Sequence, residues 1–155
     1  FTICLSLGYP DMEEEIAILK GRITSNPLEN LHPVLETREL LLLQEECCQI
    51  FIHDRIYHYI CSLIQATRVH PMVELGISPR GTLALTHMAQ AGAYLAGRSY
   101  VTPEDVQRVF QDVCLHRLCL NAKARISHVD SRDVLEEISK STPVPSVRKH
   151  YKGDS

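Results

Sequence analysis

Three consecutive residues, Ser78-Pro79-Arg80, have the types and spacing in this sequence that best suit chemistry. Ser78 is a favoured helix N-cap and Pro79 suits the first helical position, so the apolar-periodic run to Leu95 is predicted to be a helix. Arg80 then lies in the first turn, where the helix dipole disfavours a cation. A guanidinium placed there usually has an anionic partner outside the helix, such as a carboxylate or a phosphate, although a surface arginine is more often simply solvated.

A second cluster, Cys114-x-His116-x-x-Cys119, contains the residue types of a metal site. Positions i, i+2 and i+5 of a helix do not converge on one tetrahedral point, and no fourth ligand is near in sequence, so no metal site is expected. The sequence has no glycine-rich phosphate loop, and neither His53 nor His58 has a partner Cys or acid at catalytic spacing. The chain alone is therefore not expected to be an enzyme.

Composition restricts the remaining classes of fold and function. The 155 residues are 45% hydrophobic, enough for the core of one domain, and carry a formal net charge of only −3. That charge does not favour nucleic acid or an anionic membrane as a partner, and no apolar run approaches membrane-spanning length. The six cysteines show no disulfide-framework spacing, which favours reduced thiols and a cytoplasmic protein.

The pattern of apolar residues predicts an all-α helical bundle preceded by one short N-terminal strand. Residues 1–7 alternate as a strand does, and a lone strand has no sheet to join, so the chain is expected to be a piece of a longer protein. A capping box is predicted at Asp11 with Glu14. Helix N-caps are also predicted at Thr37, Ser78 and Thr102, a further helix is predicted to begin at Asp54, and a last short helix carries Val134, Leu135 and Ile138.

Three finer expectations concern packing and connections. The Ser78 helix is predicted to bury Ala84, Met88, Ala91 and Leu95 on one face and to end at Gly97. Residues 49–52 are predicted to be a short extended linker, and residues 67–76 a loop.

Several segments, taken in their order along the chain, resemble the sequence motifs of a known protein family. They are Leu5-Ser6-Leu7-Gly8-Tyr9-Pro10, Tyr59-Ile60, Ala66-Thr67-Arg68-x-His70-Pro71, Leu75 to Gly81, Gly97 to Val106, and His116-Arg117-Leu118. In this order and spacing, from residue 1 to about residue 145, they resemble the C-terminal part of MoxR-family AAA+ ATPases.

This resemblance implies a strand that completes the nucleotide-binding core, followed by a helical lid. It makes Arg80 the sensor-2 arginine, a catalytic and nucleotide-binding residue that reaches the phosphates of ATP in the intact protein; a salt bridge within the lid is the alternative. Arg68 either contacts the nucleotide or hydrogen bonds to loop carbonyls. Tyr9 and Ile60 either wall the adenine pocket or pack in the core. The Gly97–Val106 segment is interpreted as the end of one helix and the start of the next.

The implied organisation has three parts: residues 1–9 as the strand and linker of the core, residues 10–145 as the lid, and residues 146–155 as a flexible tail. ATP and Mg²⁺ would bind the intact parent protein, and neither is expected on this chain alone. The implied partners are the protein's own N-terminal AAA+ core, copies of itself in a ring, and an unidentified client in chaperone-like remodelling or metalloenzyme maturation. The alternatives are a nucleotide-independent helical adaptor and the lid of a magnesium-chelatase-like motor subunit.

Overall fold

The computed structural model describes residues 1–24 and 26–146. They form seven α-helices and two short strands, which confirms the all-α class. The helices are α1 (Met12–Thr24), α2 (Thr37–Cys48), α3 (Asp54–Val69), α4 (Pro79–Leu95), α5 (Pro103–Cys114), α6 (Ala122–Ile126) and α7 (Ser131–Ser141), and the strands are β1 (Val73–Leu75) and β2 (Cys119–Leu120). No helix in this described part is long and apolar enough to cross a membrane.

The chain divides into two compact units, residues 5–44 and residues 1–4 together with 45 onward. The predicted boundaries at residues 9 and 145 stay predictions, and positions 147–155 of the predicted tail lie outside the described residues.

The unit of residues 5–44 is organised by local hydrogen bonds. The predicted capping box at α1 is confirmed: the Glu14 amide donates to Asp11 Oδ1 at 2.8 Å, and the Asp11 amide donates to Glu14 Oε2 at 3.1 Å. The predicted cap at Thr37 is one residue late, because the Glu36 amide donates to the Glu39 carboxylate at 2.7 Å and Thr37 is already helical. The described apolar side chains of α1 are exposed.

The second unit contains the hydrophobic core, formed mainly between α3, α4, α5 and α7. Helix α3 begins at Asp54, as predicted, and buries the residues expected from its periodicity: Ile56, Tyr59, Ile60, Leu63 and Ile64. The loop predicted for residues 67–76 is partly wrong. Helix α3 continues to Val69, and β1 forms because it pairs antiparallel with β2, a contact between distant segments that local pattern does not reveal.

The core-facing side of α4 differs from the prediction by one position. Its buried residues include Gly81, Leu85, Ala89 and Ala93. Of the predicted face, Ala84 and Met88 are partly buried and pack against the core, whereas Leu95 is 86% exposed. Small residues on both sides of this helix make its apolar periodicity ambiguous. The predicted end is confirmed, since Gly97 adopts a positive φ of 69° directly after the C-cap residue.

The structure differs in how it treats the two segments predicted to be extended. The 49–52 linker is extended at Phe51, whose amide donates to the Ser99 carbonyl and whose carbonyl accepts from the Val101 amide, both at 2.9 Å. Residues 1–7 form no strand among the described residues, because no strand lies beside them to supply a ladder of hydrogen bonds. Instead, the Cys4 amide donates to the Asp112 carbonyl at 3.0 Å.

A buried ion pair fixes the turn between α4 and α5. Asp105 is 1% exposed and receives Arg98 Nη1 at 2.6 Å and Nη2 at 2.5 Å, as well as the Thr102 amide at 2.8 Å. Burial alone would raise the pKa of Asp105, but the hydrogen bonds from Arg98 and Thr102 outweigh it, so the pKa is lowered. The predicted capping of this helix is thus confirmed, with the arginine as an additional partner.

Replacing Asp105 with Ala should lower the free energy of unfolding by about 3 kcal/mol, measured by urea denaturation at neutral pH. This loss lies at the lower end of the range for breaking a buried ion pair, since the side chain of Arg98 is 26% exposed and can be hydrated in the variant. Because the folded-state pKa lies below the ordinary value of 3.8, the difference between wild type and variant should persist above that pH and shrink as pH falls through the folded pKa. The exposed neighbour Glu104 supplies the control, and an equal loss in Glu104→Gln would contradict the role of the pair.

Candidate functional site

The first turn of α4 presents Arg80 to solvent. Ser78 is the N-cap, as predicted, and its Oγ accepts the Gly81 amide at 3.4 Å, while Pro79 takes the first helical position. The Arg80 side chain is exposed, and no hydrogen bond or ion pair joins it to the residues that the structure describes. A carboxylate of the bundle therefore does not neutralise this guanidinium within the described part of the chain.

The segment leading into α4 is held by the last turn of α3. Thr67, fully buried, donates its hydroxyl to the Ile64 carbonyl at 2.6 Å and accepts the Ile77 amide at 3.0 Å. Arg68 Nε donates to the Ile77 carbonyl at 2.9 Å. Both backbone polar groups of Ile77 are thus bound by consecutive residues of one helix. We call this arrangement, Thr67 and Arg68 on Ile77, the Ile77 clamp.

Close backbone packing supports the clamp. A Cβ placed on Gly76 would lie 2.7 Å from Arg68 Cα and 2.8 Å from Arg68 N, so only glycine allows the loop to approach α3 this closely. The side chain of Ile77 is itself fully buried. The direction in which α4 starts, and with it the position of Arg80, is therefore set by fixed backbone atoms.

A pocket of about 440 Å³ lies beside this loop and is lined by two further arginines. One carboxylate, from Glu74, shares the pocket with them, so cationic side chains outnumber acidic ones in its wall. The lining residues are Arg68, Glu74, Leu75, Gly76, Ile77, Ser78 and Arg117. Because Ser78 caps α4, this pocket reaches the end of the helix that carries Arg80 and the positive pole of its dipole. A wall of this charge favours an anion over a cation, although both lining arginines also donate to oxygens of the protein.

The other residues predicted for a nucleotide site lie elsewhere. Arg68 makes the loop-carbonyl hydrogen bond that was one of its two interpretations. Ile60 is 1% exposed and lies in the core, and Tyr9 belongs to the other unit, where its side chain is fully exposed. A contact of any of these residues with a nucleotide stays a prediction. Sequence reasoning missed the roles of Thr67 and Arg117, although both stand in the segments that carry the resemblance.

The Cys114-x-His116-x-x-Cys119 cluster does not assemble around one point. Cys114 is fully buried in α5, and burial raises the pKa of its thiol to about 12, whereas Cys119 is exposed on β2. No group of three or more potential ligands is placed to hold a metal ion among the residues described.

The helical fold is that of an ATPase lid domain, as comparison with known proteins shows. Residues 65–138 match the family model of the AAA lid domain. Over 148 residues the chain is 37% identical to YeaC, an uncharacterized protein of Bacillus subtilis, covering 96% of this chain and 46% of that protein. It is 31% identical over 156 residues to chaperone MoxR1 of Mycobacterium tuberculosis, covering 95% of this chain and 41% of the relative.

A solved structure from Cytophaga hutchinsonii, provisionally assigned as an ATPase, shares the fold with a TM-score of 0.85 at 25% identity. The match covers 94% of this chain and 47% of that one. The chain is therefore similar over nearly its whole length to the C-terminal region of MoxR-like AAA+ ATPases, and it spans less than half the length of these relatives.

Gly76→Ala should cost about 1–3 kcal/mol in unfolding free energy, because the new methyl group collides with backbone atoms of α3. Gly92→Ala is the matched control: a Cβ there meets no atom within 4 Å, and alanine in a helix interior should stabilise by about 0.5–1 kcal/mol. Urea unfolding of both variants measures the two changes. Equal effects of the same sign at both positions would show that Gly76 is not required for close approach.

Proposed function

We propose that this chain is the sensor-2 lid of a MoxR-like AAA+ ATPase, in which Arg80 contacts the phosphates of ATP. One observation carries the proposal: Arg80 projects from a helix start fixed by the Ile77 clamp, yet has no partner among the described residues. The similarity to MoxR1 and to the lid family supports it. ATP and Mg²⁺ would be held by the nucleotide-binding core of the parent protein.

Arg80 would stabilise negative charge on the phosphates rather than act as an acid or base. An arginine stays protonated throughout the working pH range, and its planar fork matches phosphate oxygens. Arginines that stabilise charge on a transferring phosphoryl group are worth roughly 10³–10⁵ in rate, and an arginine that also follows lid movement is expected to contribute a smaller share. ATP binding and hydrolysis would then move the lid and reshape a ring of identical subunits. The outcome would be chaperone-like remodelling or metalloenzyme maturation of a client protein.

The parent's own core is the partner that best suits residues 5–44. Helix α1 has exposed apolar residues at helical spacing, Met12, Ile16, Leu19 and Ile23, so one face of the helix lacks cover among the described residues. The relatives share this segment with the chain and are more than twice as long as it. The nucleotide-binding core is the part of such a protein that this chain does not contain, and it would bury this face.

Replacing Arg80 with Ala in the full-length ATPase should reduce kcat for ATP hydrolysis by about a hundredfold, since electrostatic stabilisation of the transferring phosphoryl is lost. Folding should be unaffected because the side chain is exposed and unpartnered in the described structure. Steady-state ATPase assays and thermal unfolding measure the two effects. Arg80→Lys should recover only part of the rate, because an ammonium lacks the fork.

Arg108 offers a matched control for this experiment. It is an exposed arginine on α5 for which no hydrogen bond or ion pair is seen among the described residues. Arg108→Ala should hydrolyse ATP like the wild type. An unchanged rate in Arg80→Ala would remove the sensor role and favour the adaptor alternative.

Isolated from the core, the 155-residue chain should bind ATP with a dissociation constant no tighter than about 1 mM. An arginine-lined pocket open to water gains little from a phosphate without a surrounding cradle. Isothermal titration with ATP checks this expectation, with inorganic phosphate as the comparison ligand. Micromolar affinity would mean that the nucleotide site lies within this chain.

A further inference from the structure

Arg117 connects the leading segment of the chain with the end of α5. Its Nε donates to the Val113 carbonyl at 3.0 Å, which fixes the guanidinium plane against α5. Its Nη2 donates to the Phe1 carbonyl and, at 3.3 Å, to the Thr2 carbonyl. His116 Nε2 lies 3.4 Å from the same Phe1 carbonyl. Because these acceptors are backbone carbonyls, the contacts do not depend on which side chains stand at positions 1 and 2.

The stem of Arg117 also packs at the first turn of α4. A Cβ on Gly81 would lie 3.4 Å from Arg117 Cδ, in ordinary contact with its aliphatic part. Gly81 directly follows Arg80 in the chain and is buried. Arg117 also contributes to the wall of the pocket that Ser78 and Arg68 line. One side chain thus contacts the leading segment, α5 and the base of α4.

We propose that Arg117 is a positioning residue that links residues 1 and 2 to the first turn of α4 and so fixes where Arg80 stands relative to the preceding core. The inference rests on the proposed function. Only an arginine combines a fixed Nε donor with terminal nitrogens that reach neighbouring acceptors at the same time, whereas a lysine would keep the charge but lose this geometry.

A double-mutant cycle in the full-length ATPase tests the inference. Misplacing a phosphate-contacting group by about 1 Å can cost 10²-fold, so Arg117→Ala should lower kcat by roughly ten- to a hundredfold, with a smaller change in KM for ATP. Because Arg117 would act through Arg80, the double variant Arg80→Ala/Arg117→Ala should be no slower than Arg80→Ala alone. Arg108→Ala should leave the rate unchanged.

A purely structural role would give a different pattern. Losses that multiply in the double variant, or an unchanged kcat in Arg117→Ala, would overturn the inference while leaving the role of Arg80 intact. If Arg117→Ala is unfolded at the assay temperature, the cycle is run with Arg117→Lys, for which the same non-additivity is expected.

Amide hydrogen exchange separates this inference from the proposed function. Arg117→Ala should speed exchange of the Cys4 amide, which donates to Asp112, without speeding exchange in the middle of α3. If Arg80→Ala hydrolyses ATP at the wild-type rate, the proposed function fails, and this measurement still decides whether Arg117 holds the leading segment. Unchanged protection at Cys4 would show that it does not.

Discussion

The two hydrogen bonds that hold the backbone of Ile77 are the constraint on which the site depends. A loop without these hydrogen bonds would let α4 start in many directions, and ordering one backbone residue costs about 1–2 kcal/mol. Here Thr67 and Arg68 satisfy both polar groups of Ile77, while its side chain is buried. Each bond contributes only about 1 kcal/mol net, but leaving either buried backbone group unpaired would cost more. The clamp therefore defines one geometry for the first turn of α4.

That geometry places Arg80 where the helix dipole opposes it. A cation in the first turn costs about 0.3–1 kcal/mol when exposed, and α4 has no acidic residue in that turn to offset it. The described residues supply neither a carboxylate partner nor burial for Arg80. Arg80 therefore adds nothing to the stability of the fold. Arg98, by contrast, stabilises the fold through its ion pair with Asp105. An anion at the α4 terminus would benefit from both the dipole and the guanidinium.

The features predicted correctly from sequence are those determined within a few residues. The capping box at Asp11 and the cap at Ser78 each depend on a side chain and an amide three positions apart, so residue types suffice. The pairing of β1 with β2 and the contact of Arg117 with Phe1, which spans 116 positions, depend on the tertiary arrangement. Local sequence context singles out Arg80, whereas the hydrogen bonds of Thr67 to Ile77 and of Arg117 to Phe1 join segments separated in the sequence and do not follow from local pattern.

The face of α4 that meets the core explains why Arg80 stays exposed. Gly81, Leu85, Ala89 and Ala93 recur every four positions, so one stripe of mostly small side chains packs inward, largely against α5. Successive helical residues are about 100° apart, and a buried Gly81 consequently turns its neighbour Arg80 away from the core. Had the helix rotated to centre Leu95 and Ala84 on the core, as the apolar pattern alone suggests, Arg80 would have turned toward the core. Close packing at a glycine thus sets both the contact with Arg117 and the exposure of Arg80.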